Sequence, residues 1–267
     1  MLVEPGWLEE HLDDPGVRIV HVDVAAGSYD RAHIPGAVLW NIYEDLRRPD
    51  FRLVDPAAIE RLVQASGIDA QSTVVFTGYA PALGLWLLQA HGHRHVALLN
   101  CSLGTWQAQG RPVTSDAASP VVTAYRLPGA NPTLRASRED VERAIDDPST
   151  RILDVRSSAE YRGDRFWPSG GQQAGGRTGH VPTAVNVSID GVLDDLGSFR
   201  DASDLAAALT AADVSGPAGL ITYCTIGGRA ATAWFVLTHL LGRSDVRVYD
   251  GSWAEWGLDL ATPVERT

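Results

Sequence analysis

The chain of 267 residues contains no lysine, so all 22 of its basic residues are arginines. Without lysine it cannot form a Schiff base with a carbonyl substrate or supply the lysine of a phosphate-binding P-loop. It has only two cysteines, Cys101 and Cys224, which are too few for a disulfide framework. No apolar run is long enough to span a bilayer, and the acidic N-terminus does not resemble a signal peptide. We therefore expect a cytoplasmic protein with free thiols.

The charge balance limits the class of partner. A formal net charge of -11 argues against nucleic acid or an anionic membrane as a general partner. An anionic substrate would then need a local positive site, made by an arginine or by backbone N–H groups. The two cysteines lie in different halves of the chain, and the histidines at 91, 93 and 95, which we expect at the surface, have no cysteine beside them. We accordingly expect no metal site and no cofactor.

An internal repeat is the most informative pattern. The first half contains RIVHVDV, then Tyr29, then AHIPGAV, and the second half contains RILDVR, then Tyr161, then GHVPTAVNV. Each half continues with a second strand-like run, a helical stretch and a tryptophan. The matched pairs are Asp23 with Asp154, His33 with His180, Pro35 with Pro182, Thr77 with Cys224, and Trp106 with Trp256. The sequence therefore predicts two copies of one structural unit.

Each copy alternates short β-branched runs with helical patterns, which predicts an α/β fold with a mostly parallel sheet flanked by helices. In the second half we predict strands near Arg151–Val155, Ala184–Val187, Gly219–Tyr223 and Val246–Tyr249. Asp55 before Pro56, and Ser137 three residues before Asp140, are typical helix N-caps.

The boundary between the copies is marked by composition. The stretch Arg111–Pro132 is rich in proline, alanine and serine and interrupts the periodicity. We predict a first domain at 1–122, a linker at 123–132 and a second domain at 133–267.

Cys224 follows a buried strand-like run, and a Gly-Gly-Arg segment and an apolar helix come next. The carboxyl end of such a strand is where open α/β folds bind ligands. Two glycines allow the backbone N–H groups to point inward, and the helix N-terminus and Arg229 add positive charge. These features favour a thiolate and predict a functional cysteine. Cys101 matches Gly251, lacks a glycine loop, and is expected to be structural.

The repeat and this loop resemble the rhodanese family, specifically its tandem-domain members. Cys224 to Arg229 fit a six-residue loop of the form Cys-x-x-Gly-x-Arg, and LDVR at Leu153–Arg156, GHVP at Gly179–Pro182 and DGSWAEW at Asp250–Trp256 look like further landmarks. The resemblance covers essentially the whole chain. It implies a catalytically inactive first domain, consistent with Thr77 in place of a cysteine, and a catalytic second domain.

The resemblance also implies residue roles. Cys224 would carry sulfur as a persulfide, with Arg229 and Asp154 as catalytic residues. Asp154 has the alternative role of fixing a turn through backbone N–H groups. The cradle around the sulfur would be formed by Thr225, Ile226, Gly227 and Gly228. The implied reaction moves a sulfane sulfur from a small anionic donor, thiosulfate or 3-mercaptopyruvate, to cyanide or a thiol.

The chain departs from the family pattern where the donor would bind. Thr225 and Ile226 are neutral, and Glu160 stands where many tandem members have a substrate-binding arginine. The glycine-rich insert at 162–179 contains Arg165 and Arg177, which are candidates to supply the missing charge.

Two alternatives remain open. Cysteine phosphatases and arsenate reductases also place a thiolate in a cradle closed by arginine, but they usually have five residues between the two, whereas four lie between Cys224 and Arg229. The other alternative is a non-catalytic rhodanese-like binding module. The oligomeric state is not predicted by the sequence.

Overall fold

The computed structural model describes residues 1–210 and 219–267. The chain divides into two compact units. Unit 1 contains residues 1–48, 53–131 and 193–199, and unit 2 contains residues 49–52, 132–192 and 200–267. The predicted domain boundaries stay predictions. Residues 111–131, which the composition suggested as a linker, belong to unit 1 and hydrogen-bond to it, for example from the Asn131 N–H to the Ala90 carbonyl at 2.7 Å.

Unit 1 is built around a parallel sheet with strand order β1-β5-β4-β2-β3. The central strands consist mostly of Val, Ile, Leu and Phe, which suits strands covered by helices on both faces. Its elements are β1 (Leu2–Val3), α1 (Pro5–Glu10), β2 (Val17–Asp23), α2 (Gly27–Arg31), β3 (Val38–Asn41), a π-helical turn (Ile42–Leu46), α3 (Pro56–Ala65), β4 (Thr73–Gly78), α4 (Pro81–Ala90), β5 (Val96–Leu99) and α5 (Leu103–Ala108). Asp55 caps α3 by accepting the Ala58 N–H at 2.8 Å, as predicted.

Unit 2 repeats this arrangement with parallel strands in the order β7-β6-β8-β9. The predicted capping box at Ser137 is present, with Asp140 as its second member. The elements are α6 (Arg138–Ile145), β6 (Thr150–Asp154), α7 (Ser158–Arg162), β7 (Val185–Asn186), α8 (Ala202–Thr210), β8 (Gly219–Tyr223), α9 (Gly228–Phe235), a π-helical turn (Val236–Leu240), β9 (Val246–Val248) and α10 (Ser252–Trp256). The predicted α/β class with two parallel sheets is confirmed.

The repeat extends to individual hydrogen bonds. The Tyr29 hydroxyl donates to the Ala37 carbonyl at 2.8 Å, and the Tyr161 hydroxyl donates to the Ala184 carbonyl at the same distance. In both units the matched histidine stacks on this tyrosine with ring centroids 3.7 Å apart. The matched tryptophans each donate to a proline carbonyl at 2.8 Å. Two copies of one fold, each with its own core, account for these coincidences.

The strand register corrects two of the residue matches made from the sequence. Both halves contain the motif Pro-x-Ala-Val, which ends at Val38 in the first half and at Val185 in the second. Val20 pairs with Val38, and Leu153 pairs with Val185, so Val20 and Leu153 are equivalent. The position of Asp154 is therefore occupied in unit 1 by His21, not by Asp23.

The same register identifies the counterpart of the cysteine. His21 pairs with Thr77, whereas Asp154 pairs with Tyr223. Thr77 is thus equivalent to Tyr223, and Gly78 to Cys224. The expectation that Thr77 replaces the nucleophile was wrong by one residue.

The histidines expected at the surface are not all exposed. His93 is 2% exposed, and its ring nitrogens lie 3.0 Å from the Ser72 carbonyl and 3.1 Å from the Tyr125 hydroxyl. Burial lowers the pKa of His93 against smaller opposing effects of its hydrogen bonds. It is a core residue of unit 1 that joins two connecting segments. No helix in the described part of the chain is long and apolar enough to cross a membrane.

Candidate active site

Cys224 comes directly after the carboxyl end of β8 and is 1% exposed. Its Sγ accepts the Gly227 N–H at 3.1 Å and lies 4.0 Å from the Ser252 hydroxyl oxygen. The Cys224 N–H donates to that same oxygen at 3.1 Å, and the Cys224 carbonyl accepts the Trp253 N–H at 2.9 Å. The cysteine backbone is therefore held by the start of α10, and its sulfur faces a donor from its own loop.

The loop turns sharply at Gly227, whose φ of 91° lies in the left-handed region. Glycine adopts this conformation at little cost, and here it directs the Gly227 N–H toward the sulfur. Helix α9 begins at the next residue, and no side chain caps its N-terminus. The first N–H groups of an uncapped helix carry partial positive charge, so the loop and α9 together favour a negatively charged sulfur.

Glu160 joins both ends of the cysteine loop. Its carboxylate accepts the Thr225 hydroxyl at 2.8 Å and both terminal nitrogens of Arg229 at 2.9 and 2.7 Å. Burial alone would raise the pKa of Glu160, but the hydrogen bonds and charge of Arg229, with help from Ser157 and Thr225, lower it to about 2. The carboxylate is therefore ionised in a fully buried position, where it anchors the loop.

Arg165 belongs to the same network, whereas Arg177 does not. One terminal nitrogen of Arg165 donates to the Ser157 hydroxyl at 3.0 Å, and that hydroxyl donates to Glu160 at 2.8 Å. Arg177 instead binds the C-terminal segment: it donates to the Thr262 carbonyl and hydroxyl, both at 2.7 Å, and to the Asp259 carbonyl. The insert thus brings one of its two candidate arginines beside the loop.

Asp154 lies beneath the loop in a second buried ion pair. It accepts Nε and Nη2 of Arg156, at 2.9 and 2.5 Å, and the Tyr223 hydroxyl at 2.6 Å. It also accepts the Arg156 N–H at 3.0 Å, which matches the alternative role of fixing a turn. The Arg156 guanidinium stacks on Trp253 at 4.5 Å from the ring centroid. Asp154 therefore holds the ends of β6 and β8 together, and both of its carboxylate oxygens accept hydrogen bonds from these partners.

Sequence reasoning missed two residues that the geometry places at the loop. Glu160 was noted only as a departure from the family pattern, although its position three residues after Ser157 is the signature of a capping box. Ser252 is part of the DGSWAEW landmark but was not singled out within it. Its φ of 55° is unusual for a residue other than glycine. A serine held in that conformation beside a cysteine is a signal that only coordinates provide.

Cys101 has none of these features. It is 8% exposed and packs in an apolar cluster with Leu8 and Trp106. Burial raises the pKa of its thiol to about 11, and the nearby Arg111 offsets only part of that rise. The thiol of Cys101 is therefore protonated at neutral pH and poorly suited to nucleophilic attack.

Comparison with known proteins identifies the family of the chain. The Rhodanese-like domain family model matches residues 4–109 and again residues 137–259. The "Putative thiosulfate sulfurtransferase" of Haloferax volcanii is 36% identical over 100% of this chain and 96% of its own. The "Sulfur carrier protein TtuD" of Thermus thermophilus is 34% identical over the same shares of the two chains.

Solved structures show the same fold at lower identity. Wild-type EanB superposes with a TM-score of 0.87 at 20% identity, covering 99% of this chain and 69% of its own. An anaerobic ergothioneine biosynthesis enzyme from Chlorobium limicola gives a TM-score of 0.83 at 21% identity, covering 99% of this chain and 70% of its own. Two family matches along one chain, full-length relatives above 30% identity, and two copies of one hydrogen-bonded core establish that this protein belongs to the rhodanese family, with two rhodanese-like domains in tandem.

Proposed function

We propose that the protein is a sulfurtransferase in which Cys224 accepts a sulfane sulfur as a persulfide and passes it to an acceptor. The observation that carries the proposal is the contact of 3.1 Å between the Gly227 N–H and Cys224 Sγ, made at the N-terminus of α9. N–H groups directed at a sulfur stabilise its anionic form, and a persulfide anion needs the same stabilisation as the thiolate.

The reaction is a ping-pong transfer in two steps. The Cys224 thiolate attacks the outer sulfur of thiosulfate, the sulfur–sulfur bond of the donor breaks, and sulfite leaves with the bonding electron pair. With 3-mercaptopyruvate the carbon–sulfur bond breaks instead, and pyruvate forms after its carbon takes up a proton. Cyanide or a thiolate then attacks the outer sulfur of the persulfide, which releases the Cys224 thiolate.

The names of the full-length relatives support this assignment, since they describe thiosulfate sulfurtransferases and a sulfur carrier. The width of the loop supports it as well, because four residues between Cys224 and Arg229 enclose less space than the five of cysteine phosphatases. A reducing compartment such as the cytoplasm suits an enzyme that needs a free thiol.

We propose in addition that the first domain carries no sulfur. Its counterpart of Cys224 is Gly78, with φ of 100°. A Cβ atom at Gly78 would lie 2.6 Å from the Val22 carbonyl oxygen, so the backbone there has no room for a cysteine side chain.

Intact mass spectrometry after incubation with thiosulfate or 3-mercaptopyruvate tests the sulfur transfer. The wild-type chain should gain the mass of one sulfur atom and lose it on addition of cyanide. Cys224→Ser should gain nothing, whereas the matched control Cys101→Ser should load as the wild type does. Loading of the Cys224→Ser variant, or a failure of the wild type to load from any donor, would overturn the proposal.

A further inference from the structure

The carboxylate of Glu160 is surrounded by donors and closed to solvent. Oε1 accepts the Thr225 hydroxyl at 2.8 Å and Nη2 of Arg229 at 2.7 Å, and Oε2 accepts Nη1 of Arg229 at 2.9 Å. Oε2 also accepts the Ser157 hydroxyl at 2.8 Å and the Ser157 N–H at 3.2 Å. The side chain of Glu160 is 0% exposed and that of Arg229 is 21% exposed. The pair is thus a two-pronged ion pair beside the reactive sulfur, with its negative partner buried.

The ion pair with Glu160 weakens the electrostatic attraction of Arg229 for an incoming anion. A guanidinium in direct contact with a carboxylate acts at longer distance as a dipole, whose attraction falls off faster than that of a single charge. Arg229 cannot move away to meet a donor at low cost, because the buried carboxylate of Glu160 would then lose its compensating charge. The remaining attraction for an anion at the loop comes from the Gly227 N–H, from the start of α9 and from Arg165, which reaches the network through the Ser157 hydroxyl at 3.0 Å.

We infer that Glu160 is a specificity-determining residue: it offsets the charge of Arg229, so that the Cys224 loop selects sulfur donors with one negative charge or none over doubly charged donors such as thiosulfate. The inference rests on the proposed sulfurtransferase function and names the donor class that the same site favours. It also assigns Glu160 a role that goes beyond capping α7.

Two small donors that differ by one charge make the test direct. Thiosulfate carries two negative charges, and methanethiosulfonate carries one because a methyl group replaces an anionic oxygen. In both cases the Cys224 thiolate attacks the outer sulfur and the sulfur–sulfur bond breaks. Sulfite leaves in the first case and methanesulfinate in the second, each with the bonding pair. The quantity to measure is the ratio of kcat/KM for thiosulfate to kcat/KM for methanethiosulfonate, with cyanide as acceptor.

Glu160→Gln keeps the shape of the side chain and removes its charge. This variant should raise the ratio of kcat/KM for thiosulfate to kcat/KM for methanethiosulfonate by about five- to tenfold, because the charge of Arg229 near the site is then uncompensated. Glu160→Asp, which keeps the charge, should leave the ratio near the wild-type value even if both rates fall. Glu142→Gln on α6 removes the same charge from outside the network and should leave the ratio unchanged. An unchanged ratio in Glu160→Gln overturns the inference.

A double variant covers the case in which Glu160→Gln alone does not fold. Glu160→Gln/Arg229→Gln removes both charges, so the ratio should stay within about twofold of the wild-type value if Arg229 is already offset. A fall of the ratio well beyond that range means that Arg229 attracts the dianion in the wild type, and the inference is wrong. If wild-type Cys224 is loaded by neither donor, the proposed function fails. If both donors load it and only the ratio disagrees, the function stands and this inference alone is lost.

Discussion

Gly78 occupies in the first sheet the position that Cys224 occupies in the second. Thr77, the residue before Gly78, pairs with His21 of β2, and Tyr223, the residue before Cys224, pairs with Asp154 of β6. His21 and Asp154 are equivalent positions in the two sheets. The positions of Gly78 and Cys224 differ in backbone as well as in side chain, because Gly78 has φ of 100° and its missing Cβ would meet the Val22 carbonyl oxygen at 2.6 Å. At this position the first domain therefore has neither a cysteine nor room for a cysteine side chain.

This relationship predicts the outcome of restoring the cysteine. Gly78→Cys in a Cys224→Ser background should not load sulfur from thiosulfate or 3-mercaptopyruvate. It should also destabilise the protein by about 2–4 kcal/mol, since strain at a positive φ and a close contact with backbone both contribute. Mass spectrometry and urea unfolding measure the two effects.

Gly36→Ala is the matched control for this variant. Gly36 has φ of 80° but nothing within 4 Å of its added Cβ, so only the conformational cost of about 1 kcal/mol should appear. Equal losses for Gly36→Ala and Gly78→Cys would contradict the argument from close contact. Sulfur on the restored cysteine would show that the first domain can be active.

The mistaken match of Asp23 with Asp154 shows how a shared residue type can mislead a comparison of two repeats. Asp23 was matched to Asp154 by residue identity, but the register places His21 there. A shift of two residues keeps every side chain on the same face of a strand, so the hydrophobic pattern could not detect the error. Local signals were reliable by contrast: β8 has the predicted bounds, and the caps at Asp55 and Ser137 are present.

The site was predicted only in part, because several of its contacts join residues that are far apart in the sequence. Cys224 and the glycine turn after it are local in sequence, and their pattern was sufficient to predict a cradle. The pairing of Glu160 with Arg229 joins residues 69 positions apart, and one sequence contains no signal for such a contact. Arg177 was a candidate because of its charge, but its carbonyl partners near the C-terminus become adjacent to it only in the fold.

The ion pair between Glu160 and Arg229 predicts a pH dependence of stability. Folding lowers the pKa of Glu160 from an ordinary value of 4.5 to about 2. A carboxyl group with a lowered pKa in the folded state contributes its stability fully above the unfolded-state value and loses it as pH falls toward the folded-state value. The stability advantage of wild type over Glu160→Gln, about 3 kcal/mol near neutral pH, should therefore shrink between about pH 5 and pH 2.

Urea unfolding at several pH values checks this window. The double variant Glu160→Gln/Arg229→Gln provides the control, because it and Glu160→Gln both lack the titrating group and should show parallel pH profiles. An advantage of wild type that stays constant down to pH 2 would show that Glu160 is not ionised in the pair.

Asp154 is predicted to act on stability more than on catalysis. Its carboxylate binds Arg156 and the Tyr223 hydroxyl, and both side chains of the ion pair are fully buried. Asp154→Asn leaves the Arg156 charge without compensation and should cost about 3–5 kcal/mol. Tyr223→Phe keeps the ion pair but removes the acceptor of the Val181 N–H, which should cost about 1–3 kcal/mol.

The rate of sulfur loading per folded molecule separates the two roles. It should change by less than about threefold in Asp154→Asn and in Tyr223→Phe, because neither polar group is directed at the reacting sulfur. The free energy of unfolding in urea, measured for each variant, gives the folded fraction needed for the correction. A loss of two orders of magnitude in Asp154→Asn with a normal folded fraction would assign Asp154 to the chemistry.

Ser252 connects the cysteine to α10 through its hydroxyl group and its backbone. The hydroxyl oxygen accepts the Cys224 N–H at 3.1 Å and donates to the Tyr249 carbonyl at 2.9 Å, and the residue has φ of 55°. Ser252→Ala removes both hydrogen bonds and leaves the strained backbone. Ser252→Gly removes the same bonds and relieves the strain. Both variants should lose about 1–3 kcal/mol from the buried Cys224 N–H that remains without an acceptor. Ser252→Gly should lose about 1 kcal/mol less than Ser252→Ala.

Both Ser252 variants should also slow alkylation and sulfur loading of Cys224 to the same extent, since they remove the same hydroxyl. Equal stabilities of the two variants would show that the backbone at Ser252 is not strained. Loading at the wild-type rate in both would show that the hydroxyl does not position the cysteine.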